Sequence, residues 1–380
     1  MSPLDRQRLD AALDLASLAI GLSDPNPRVG CIIGTVDGRI LGQGHTQQAG
    51  GPHAEVMALR DARTQGHDVR GATAWVTLEP CAHHGRTPPC ADALVDAGLS
   101  RVVVAIQDPF PSVAGQGIGR LRAAGIAVDL ADAEQAARAR DLNIGFFSRY
   151  ERGRPWVRLK VACSLDGFTA LPDGRSQWIT GPEARADGHA WRRRAGAIVT
   201  GVGTVLADDP RMDVRLVPTS LQPARFVVDS TLRSPLSARI FAPPGHAVLV
   251  TARASAARVD EARRQGLEVL TLPPADDPVD LNALMQALTE RQANEVHVEA
   301  GARLNGRLLE LGLVDELLVY QAPLLIGRGL GMFDTPPPPA LPAALRFVPV
   351  ETRCCGADTL LRFRLRVNPD GTDEPACRTT

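Results

Sequence analysis

The stretch from His53 to Cys90 limits what this chain can fold into more than any other. It reads HAEVMALRDARTQGHDVRGATAWVTLEPCAHHGRTPPC: a His-Ala-Glu opening a helix-like segment, a strand-like ATAWVTLE, then Pro80-Cys81 and, further on, Cys90. An imidazole nitrogen and two thiolates are a donor set for Zn2+, and three protein ligands leave the fourth tetrahedral position open to water. A fold that satisfies this reading must bring the start of a helix, the end of a strand and the loop after it to one point. Zinc in such a site lowers the pKa of bound water from 15.7 to about 7, so a nucleophile is available at neutral pH. Glu55, just beyond His53, reads as the proton carrier between water and a leaving amine, and not as a ligand.

An H-x-E…P-C pattern of this kind is the signature of zinc deaminases. The spacing departs from the generic C-x-x-C, because eight residues, AHHGRTPP, separate Cys81 from Cys90. That insert carries His83, His84, an arginine and a glycine; it reads as extra substrate contacts at the pocket rim and speaks against a plain cytidine deaminase. Two other readings stand beside it. A closed structural zinc site would take His83, His84 or another cysteine as fourth ligand, and would leave Glu55 without a task. A Cys81–Cys90 disulfide is disfavoured by the count of seven cysteines without small-scaffold spacing, which fits a reduced, cytoplasmic protein.

At 380 residues the chain is long for one core, so two domains are expected. Net charge is −1 and aromatic content 4%, which speaks against a basic, stacking nucleic-acid face of the kind an RNA-editing deaminase needs. No apolar stretch reaches membrane-spanning length, and the amphipathic start lacks the form of a signal peptide. A binding protein that had lost catalysis would be expected to lack a ligand or the Glu; all four residues are in place.

Periodicity predicts a first helix over 4–22, a rigid loop SDPNPRVG, and a hairpin around Asp37-Gly38. The first 130 residues read as an α/β layered unit on a mostly parallel sheet, closed by a single helix, AEQAARARDLNIGFFSRY. The charged Gly/Pro stretch ERGRP, 151–155, reads as the boundary to a second α/β domain ending near 368, with a polar tail over 369–380. In that half, EVHVEAGARLNGR and a strand-like AIVTGVGT hold glycine turns that can aim backbone N–H groups at a phosphate. Gly301 and Gly306 do not form G-x-G-x-x-G, so the standard Rossmann fingerprint is absent. Consecutive Arg192, Arg193 and Arg194 usually mean a solvated face, although residues at that spacing splay and one can turn inward toward an anion. Lys160 lies among apolar neighbours, and Glu299 ends an apolar strand, where a charge is costly unless paired or used. Arg215 is uninformative alone. The residues by themselves imply an anionic, dinucleotide-like ligand and no particular reaction.

Taken together, DPNPRVGC, GGPHAEVMAL, TLEPCAHHGRTPPC, ACSLDGFTA, SQWITGPEAR, GVGTVLADDPRM, VVDST, VEAGARLNG and LVDELLVYQAPLLIG, in this order, closely resemble the bifunctional riboflavin-biosynthesis deaminase/reductase family. The resemblance spans roughly residues 4–366 and includes the long cysteine insert. It implies a cytidine-deaminase-like three-layer α/β/α zinc domain over 1–150 and a dihydrofolate-reductase-like α/β domain over 151–368. The implied cofactors are one Zn2+ per deaminase site and NADPH. The implied partners are a small phosphorylated pyrimidine, no nucleic acid, no membrane, and further copies of the chain in a dimer or tetramer. The first domain would deaminate 2,5-diamino-6-(5-phosphoribosylamino)pyrimidin-4-one; the second would reduce the ribosyl group of the product to ribityl.

By position, the resemblance makes His53, Cys81 and Cys90 the zinc ligands, Glu55 the proton shuttle and Asn26 a pyrimidine contact. Ala162, Trp178, Thr204, Asp208, Ser230 and the loop of Gly301, Ala302, Arg303, Leu304, Asn305, Gly306 and Arg307 fall where the family holds NADPH. Lys160, Ser176, Arg192, Met212, Arg215 and Glu299 fall at the phosphorylated substrate, with Lys160 and Glu299 as candidates for polarising the carbonyl or supplying its proton. Met212 stands where leucine is expected and Ala302-Arg303 where Pro-Thr is expected.

Overall fold

The computed structural model describes residues 1–82, 89–111, 114–273 and 278–366. Its first part runs α1 (Pro3–Ser17), β1 (Gly30–Gly34), β2 (Ile40–His45), α2 (Ala54–Thr64), β3 (Thr73–Val76), α3 (Cys90–Asp96), β4 (Arg101–Val104), α4 (Gln116–Ala123), β5 (Ala127–Leu130), α5 (Ala133–Leu142) and α6 (Ile144–Arg152). The strands form one sheet in the order β2-β1-β3-β4-β5. β1 pairs antiparallel with both β2 and β3, so β2, β3, β4 and β5 all run the same way and β1 alone opposes them. The expectation of a mostly parallel sheet holds apart from β1: the tight hairpin over Asp37-Gly38 reverses the chain once, and the strands joined through helices, β2 to β5, run parallel.

Three layers result. Ala54 and Ala58 of α2, Leu94 of α3, Leu121 of α4 and Phe147 of α6 pack on one face of the sheet with Ile33 and Val76. Leu9 and Leu13 of α1 and Ala139 of α5 cover the other face over Ile32, Trp75 and Val103. The two groups follow from alternation along each strand. α2 lies directly on β2 because β2 carries glycines: a Cβ on Gly42 would sit 2.3 Å from Ala58 O, and one on Gly44 would sit 2.5 Å from Met57 Cβ.

Two helix expectations are corrected. The first helix ends at Ser17, and i−3 bonds from the N–H groups of Leu18, Ala19 and Ile20 tighten the chain until Gly21, at φ 68°, turns it away. The closing helix splits at Asn143. That side chain accepts from Arg28 N at 2.7 Å and donates to Arg28 O at 2.9 Å, pairing with the 23–29 loop as a strand neighbour would.

The second part runs β6 (Trp156–Cys163), β7 (Phe168–Ala170), α7 (Pro182–Arg194), β8 (Ala197–Gly201), α8 (Val202–Asp208), β9 (Ala224–Val228), β10 (Ala247–Thr251), α9 (Ala256–Arg264) and β11 (Glu268–Thr271). It continues with α10 (Leu281–Glu290), β12 (Glu295–Val298), α11 (Ala302–Glu310), β13 (Glu316–Gln321), β14 (Leu330–Gly331), β15 (Phe347–Cys355) and β16 (Asp358–Leu365). Nine strands form a second sheet, β11-β10-β9-β8-β12-β6-β13-β16-β15, and β7 with β14 makes a small ribbon. Pairing is parallel from β11 to β13 and antiparallel for the closing hairpin. The segment expected as one strand, AIVTGVGT, ends at Gly201 and becomes α8.

The chain winds outward from β8 to β11, then returns to insert β12 between β8 and β6. In open α/β sheets such a switch leaves a crevice at the carboxyl ends of the strands, where ligands bind. One face here is apolar: Val157, Leu159 and Val161 of β6 and Val296 and Val298 of β12 join the largest core cluster. On the alternate positions Arg158 and Lys160 face Glu295, His297 and, just beyond β12, Glu299. α7 covers this polar stripe with Trp191, Arg192 and Arg194. The arginine run is therefore not a solvated face, because Arg192 and Arg194 reach the two ends of the stripe. Among the described residues no helix is long and apolar enough to cross a membrane. The tail over 369–380 and the rival zinc ligands His83 and His84 lie outside the described residues.

Candidate active sites

In the first part, α2 begins at His53, its N-cap, so the imidazole leaves the helix start while Glu55 turns into the first turn beneath it. The turn after β3 delivers Cys81, and Cys90 opens α3. His53 Nδ1 lies 3.7 Å from Cys81 Sγ and 3.3 Å from Cys90 Sγ, and donor atoms of all three residues fall within 4.8 Å of one another. Zn–N bonds of about 2.1 Å and Zn–S bonds of about 2.3 Å in a tetrahedron imply donor separations of about 3.5–3.8 Å, so the three fit zinc. Both cysteines are free thiols, so no disulfide joins them. A hydrogen bond with Cys90, reinforced by His53, holds Cys81 down at about 4.

Glu55 is 3% exposed. Burial pushes its carboxyl up to about 7, with His53 opposing. A second carboxylate, Glu79, went unnoticed in the sequence. It is buried and accepts from the N–H groups of Gly115 and Ile118 at 3.0 Å and of Asp108 at 3.3 Å, which fixes these three residues around it. Its signal was a glutamate inside the strand-like ATAWVTLE.

In the second part, Glu299 receives a two-point ion pair from Arg192, at 2.5 and 3.0 Å, and Lys160 Nζ lies 3.9 Å away. Burial opposes charge on Glu299, but Arg192 and Lys160 hold its carboxyl well below the usual range. Burial pushes the Lys160 ammonium down. Fully buried His297 adds a 3.1 Å contact to Glu299; its only signal in the sequence is strand alternation with Glu299. Arg192 also donates to Asp213 O at 3.0 Å and approaches Met212 Sδ at 3.6 Å. Arg215 pairs with Asp213 at 2.6 Å, and its N–H donates to His189. Lys160, Arg192, Met212, Arg215 and Glu299 thus converge, whereas Ser176 lies on the loop before α7.

α11 starts at Gly301, an exposed N-cap without a side-chain cap, so the N–H groups of Ala302, Arg303 and Leu304 have no partner within the helix. Leu304 packs against Gly201 at the start of α8, which sets Thr204 close by. Gln177 contacts Asp208 at 3.5 Å, and the 67% exposed Trp178 lies under Arg185 at 4.7 Å. Ser230, two residues past β9, and Ala162, near the end of β6, lie toward the carboxyl edge of the sheet. The later residues of the 301–307 stretch lie within α11 and have contacts inside the fold. The Asn305 side chain is buried and donates to Ala300 O and Met332 O. Gly306 makes room for Asp334, whose carbonyl oxygen would be 2.1 Å from an added Cβ. Arg307 pairs with Glu310.

Residues 155–361 match the model of the RibD C-terminal domain, and residues 3–106 match the cytidine and deoxycytidylate deaminase zinc-binding region. The riboflavin biosynthesis protein RibD of Escherichia coli (strain K12) is 44% identical over 375 residues, covering 94% of this chain and 99% of that protein. That of Aquifex aeolicus (strain VF5) is 40% identical over 331 residues, covering 87% and 90%. Among solved structures, Acinetobacter baumannii RibD, form 1, superposes with a TM-score of 0.85 at 40% identity, covering 96% of this chain and 99% of that one. A diaminohydroxyphosphoribosylaminopyrimidine deaminase/5-amino-6-(5-phosphoribosylamino)uracil reductase from Thermotoga maritima gives 0.84 at 30% identity with the same coverage.

Proposed function

We infer the roles of individual residues from one premise: this chain belongs to the RibD family of riboflavin biosynthesis proteins, in which one chain joins a zinc-binding deaminase to a reductase. It deaminates 2,5-diamino-6-(5-phosphoribosylamino)pyrimidin-4-one to the aminouracil and then, with NADPH, reduces the ribosyl group to ribityl. The observation that carries the residue assignment is the convergence of His53, Cys81 and Cys90 above the buried Glu55, in the same chain as a crevice lined by Lys160, Arg192 and Glu299.

His53, Cys81 and Cys90 hold the zinc, which when bound supplies a Lewis acid that makes water nucleophilic at neutral pH. Glu55 takes a proton from the water as it adds to the amine-bearing ring carbon and returns it to the departing ammonia. Asn26 contacts the pyrimidine from the loop before β1.

In the second domain, taken as 151–368 against 1–150 for the first, NADPH supplies the hydride. The free N–H groups of Ala302, Arg303 and Leu304 hold cofactor phosphate at the helix start, with Ala162, Trp178, Thr204, Asp208 and Ser230 around it. Arg215 meets the substrate phosphate, with Ser176 and Met212 nearby, while Arg192 keeps Glu299 ionised and oriented. Lys160 polarises the ring-opened carbonyl and passes a proton to its oxygen; most other residues position reactants and do not react. The test supplies the deaminated substrate and follows NADPH oxidation in Lys160→Ala and Glu299→Gln. Loss of reduction with ammonia release intact supports the assignment, and unchanged reduction in both refutes it. We further propose a cytoplasmic homodimer or tetramer assembled through the second domain, to be read by sedimentation velocity.

A further inference from the structure

The 23–29 loop, which carries Asn26, takes its shape from the second domain as much as from its own. Arg28 is 3% exposed. Its guanidinium donates to Glu295 at 2.6 Å and to Arg194 O at 2.7 Å, both in the second domain, and to Leu142 O at 3.0 Å in the first. Asn294 adds a bond to Pro25 O at 2.9 Å, and Leu221 N donates to Gly21 O at 3.1 Å.

On its other side the same loop is tied to both chain segments that deliver the zinc ligands. Val29 and Thr46 exchange hydrogen bonds, N–H to Oγ1 at 3.2 Å and N–H to O at 2.9 Å, at the start of the segment leading to His53. Gly30 and Thr77 do the same at 3.0 and 3.1 Å, on the way to Cys81. The loop therefore lies between the second domain and the metal-binding segments.

Glu295 does not need Arg28 for neutralisation, because Arg158 and Arg194 already pair with it at 2.7 and 2.8 Å. A third buried guanidinium adds desolvation cost; its other acid, Asp24 at 3.4 Å, belongs to the 23–29 loop itself. Its bonds instead fix one loop geometry.

We propose that Arg28, Asn294 and Glu295 are positioning residues for deamination: the second domain clamps the 23–29 loop in the form that binds the pyrimidine, so the reductase domain is a working part of the deaminase site. The inference rests on the reading of Asn26 as a substrate contact.

The test uses the full-length, zinc-loaded enzyme and measures KM and kcat for ammonia release, and separately NADPH oxidation on supplied deaminated substrate. Arg28→Met leaves Glu295 with two arginines. Asn294→Ala removes no charge, and it stays informative even if Glu295→Gln does not fold. Each of the first two is expected to raise the deamination KM roughly tenfold or more, the scale of a small misplacement of a binding group, with kcat changed less and reduction within about twofold. The double variant is expected to fall short of the product of the two effects, because both act on one loop. An unchanged deamination KM in both folded variants overturns the proposal. So does a parallel fall of both activities that tracks lost thermal stability. Asn26→Ala is measured alongside: an unchanged deamination KM there refutes the Asn26 reading, while the clamp stands or falls on Arg28 and Asn294.

Discussion

Two fully buried carboxylates hold a cluster of five arginines at the seam between the domains, with Asp24 on Arg28 and the more exposed Asp141 on Arg362 and Arg364, and that difference in burial predicts which substitution does more harm. Glu295 binds Arg28, Arg158 and Arg194 at 2.6, 2.7 and 2.8 Å. Glu316 binds Arg158, Arg362 and Arg364 at 2.7, 2.8 and 3.3 Å. Arg158 bridges them, fully buried, with its guanidinium 4.6 Å from the centre of the Trp191 ring and Arg362 5.4 Å from the same ring. Arg158→Met keeps most of the stem volume and leaves each carboxylate with two arginines. It loses charge-assisted hydrogen bonds but removes a buried cation, for a net loss of about 1–2 kcal/mol. Glu316→Gln leaves Arg158 with Glu295 alone and Arg362 and Arg364 with the more exposed Asp141; a buried pair that loses its acid costs up to about 3–5 kcal/mol. At about 2–4 °C per kcal/mol for a domain of this size, the glutamine variant should melt clearly below the methionine variant. Thermal unfolding at pH 7, followed by tryptophan fluorescence, reads the order directly. An Arg158→Met variant as damaging as Glu316→Gln would refute the argument that the fully buried acids anchor the cluster.

Three further outcomes are expected. His189 is 4% exposed and faces Arg192 and Arg215, with Glu299 and Asp213 beyond them; burial and the two cations hold it at about 4. Its neutral form is favoured in the fold, so its contribution is complete above the unfolded value of about 6.5 and is lost as pH falls toward 4, up to about 3 kcal/mol. Urea midpoints at pH 7 and pH 4.5 should therefore differ less in His189→Gln than in the parent, and an equal difference contradicts this. Gly44→Val forces a side chain into α2 where even a Cβ would be 2.5 Å from Met57; overpacking of about 1–3 kcal/mol and reduced zinc content by metal analysis should follow. Zinc removal by a chelator should end ammonia release while leaving NADPH oxidation on supplied aminouracil intact.

The zinc centre was legible because its chemistry is carried by residue types that few other sites combine: an imidazole, two thiols and a carboxylate at the start of one helix. The reductase crevice was far less so. Glu299 and Lys160 come together through strand pairing across 139 residues of chain, and His297 enters only by alternation on β12. The arginine run misled because its meaning depends on helix phase and on what covers it, which composition does not encode. Gly306 looked like a phosphate turn, but only the fold reveals the Asp334 backbone in its place. The one opposed strand of the first sheet, β1, was implicit in the Asp37-Gly38 hairpin. Arg28 and Asn294 carry no motif at all; their role exists only between domains.

The most direct test incubates purified, zinc-replete protein with the diaminopyrimidinone ribosyl phosphate and NADPH, following A340 and ammonia together, in the parent and in Glu55→Ala. The account predicts ammonia release and NADPH oxidation in the parent, both lost in Glu55→Ala, with oxidation restored when the deaminated intermediate is supplied. Zinc-replete parent protein that releases no ammonia, or a Glu55→Ala variant that still does so at the parent rate, would contradict it.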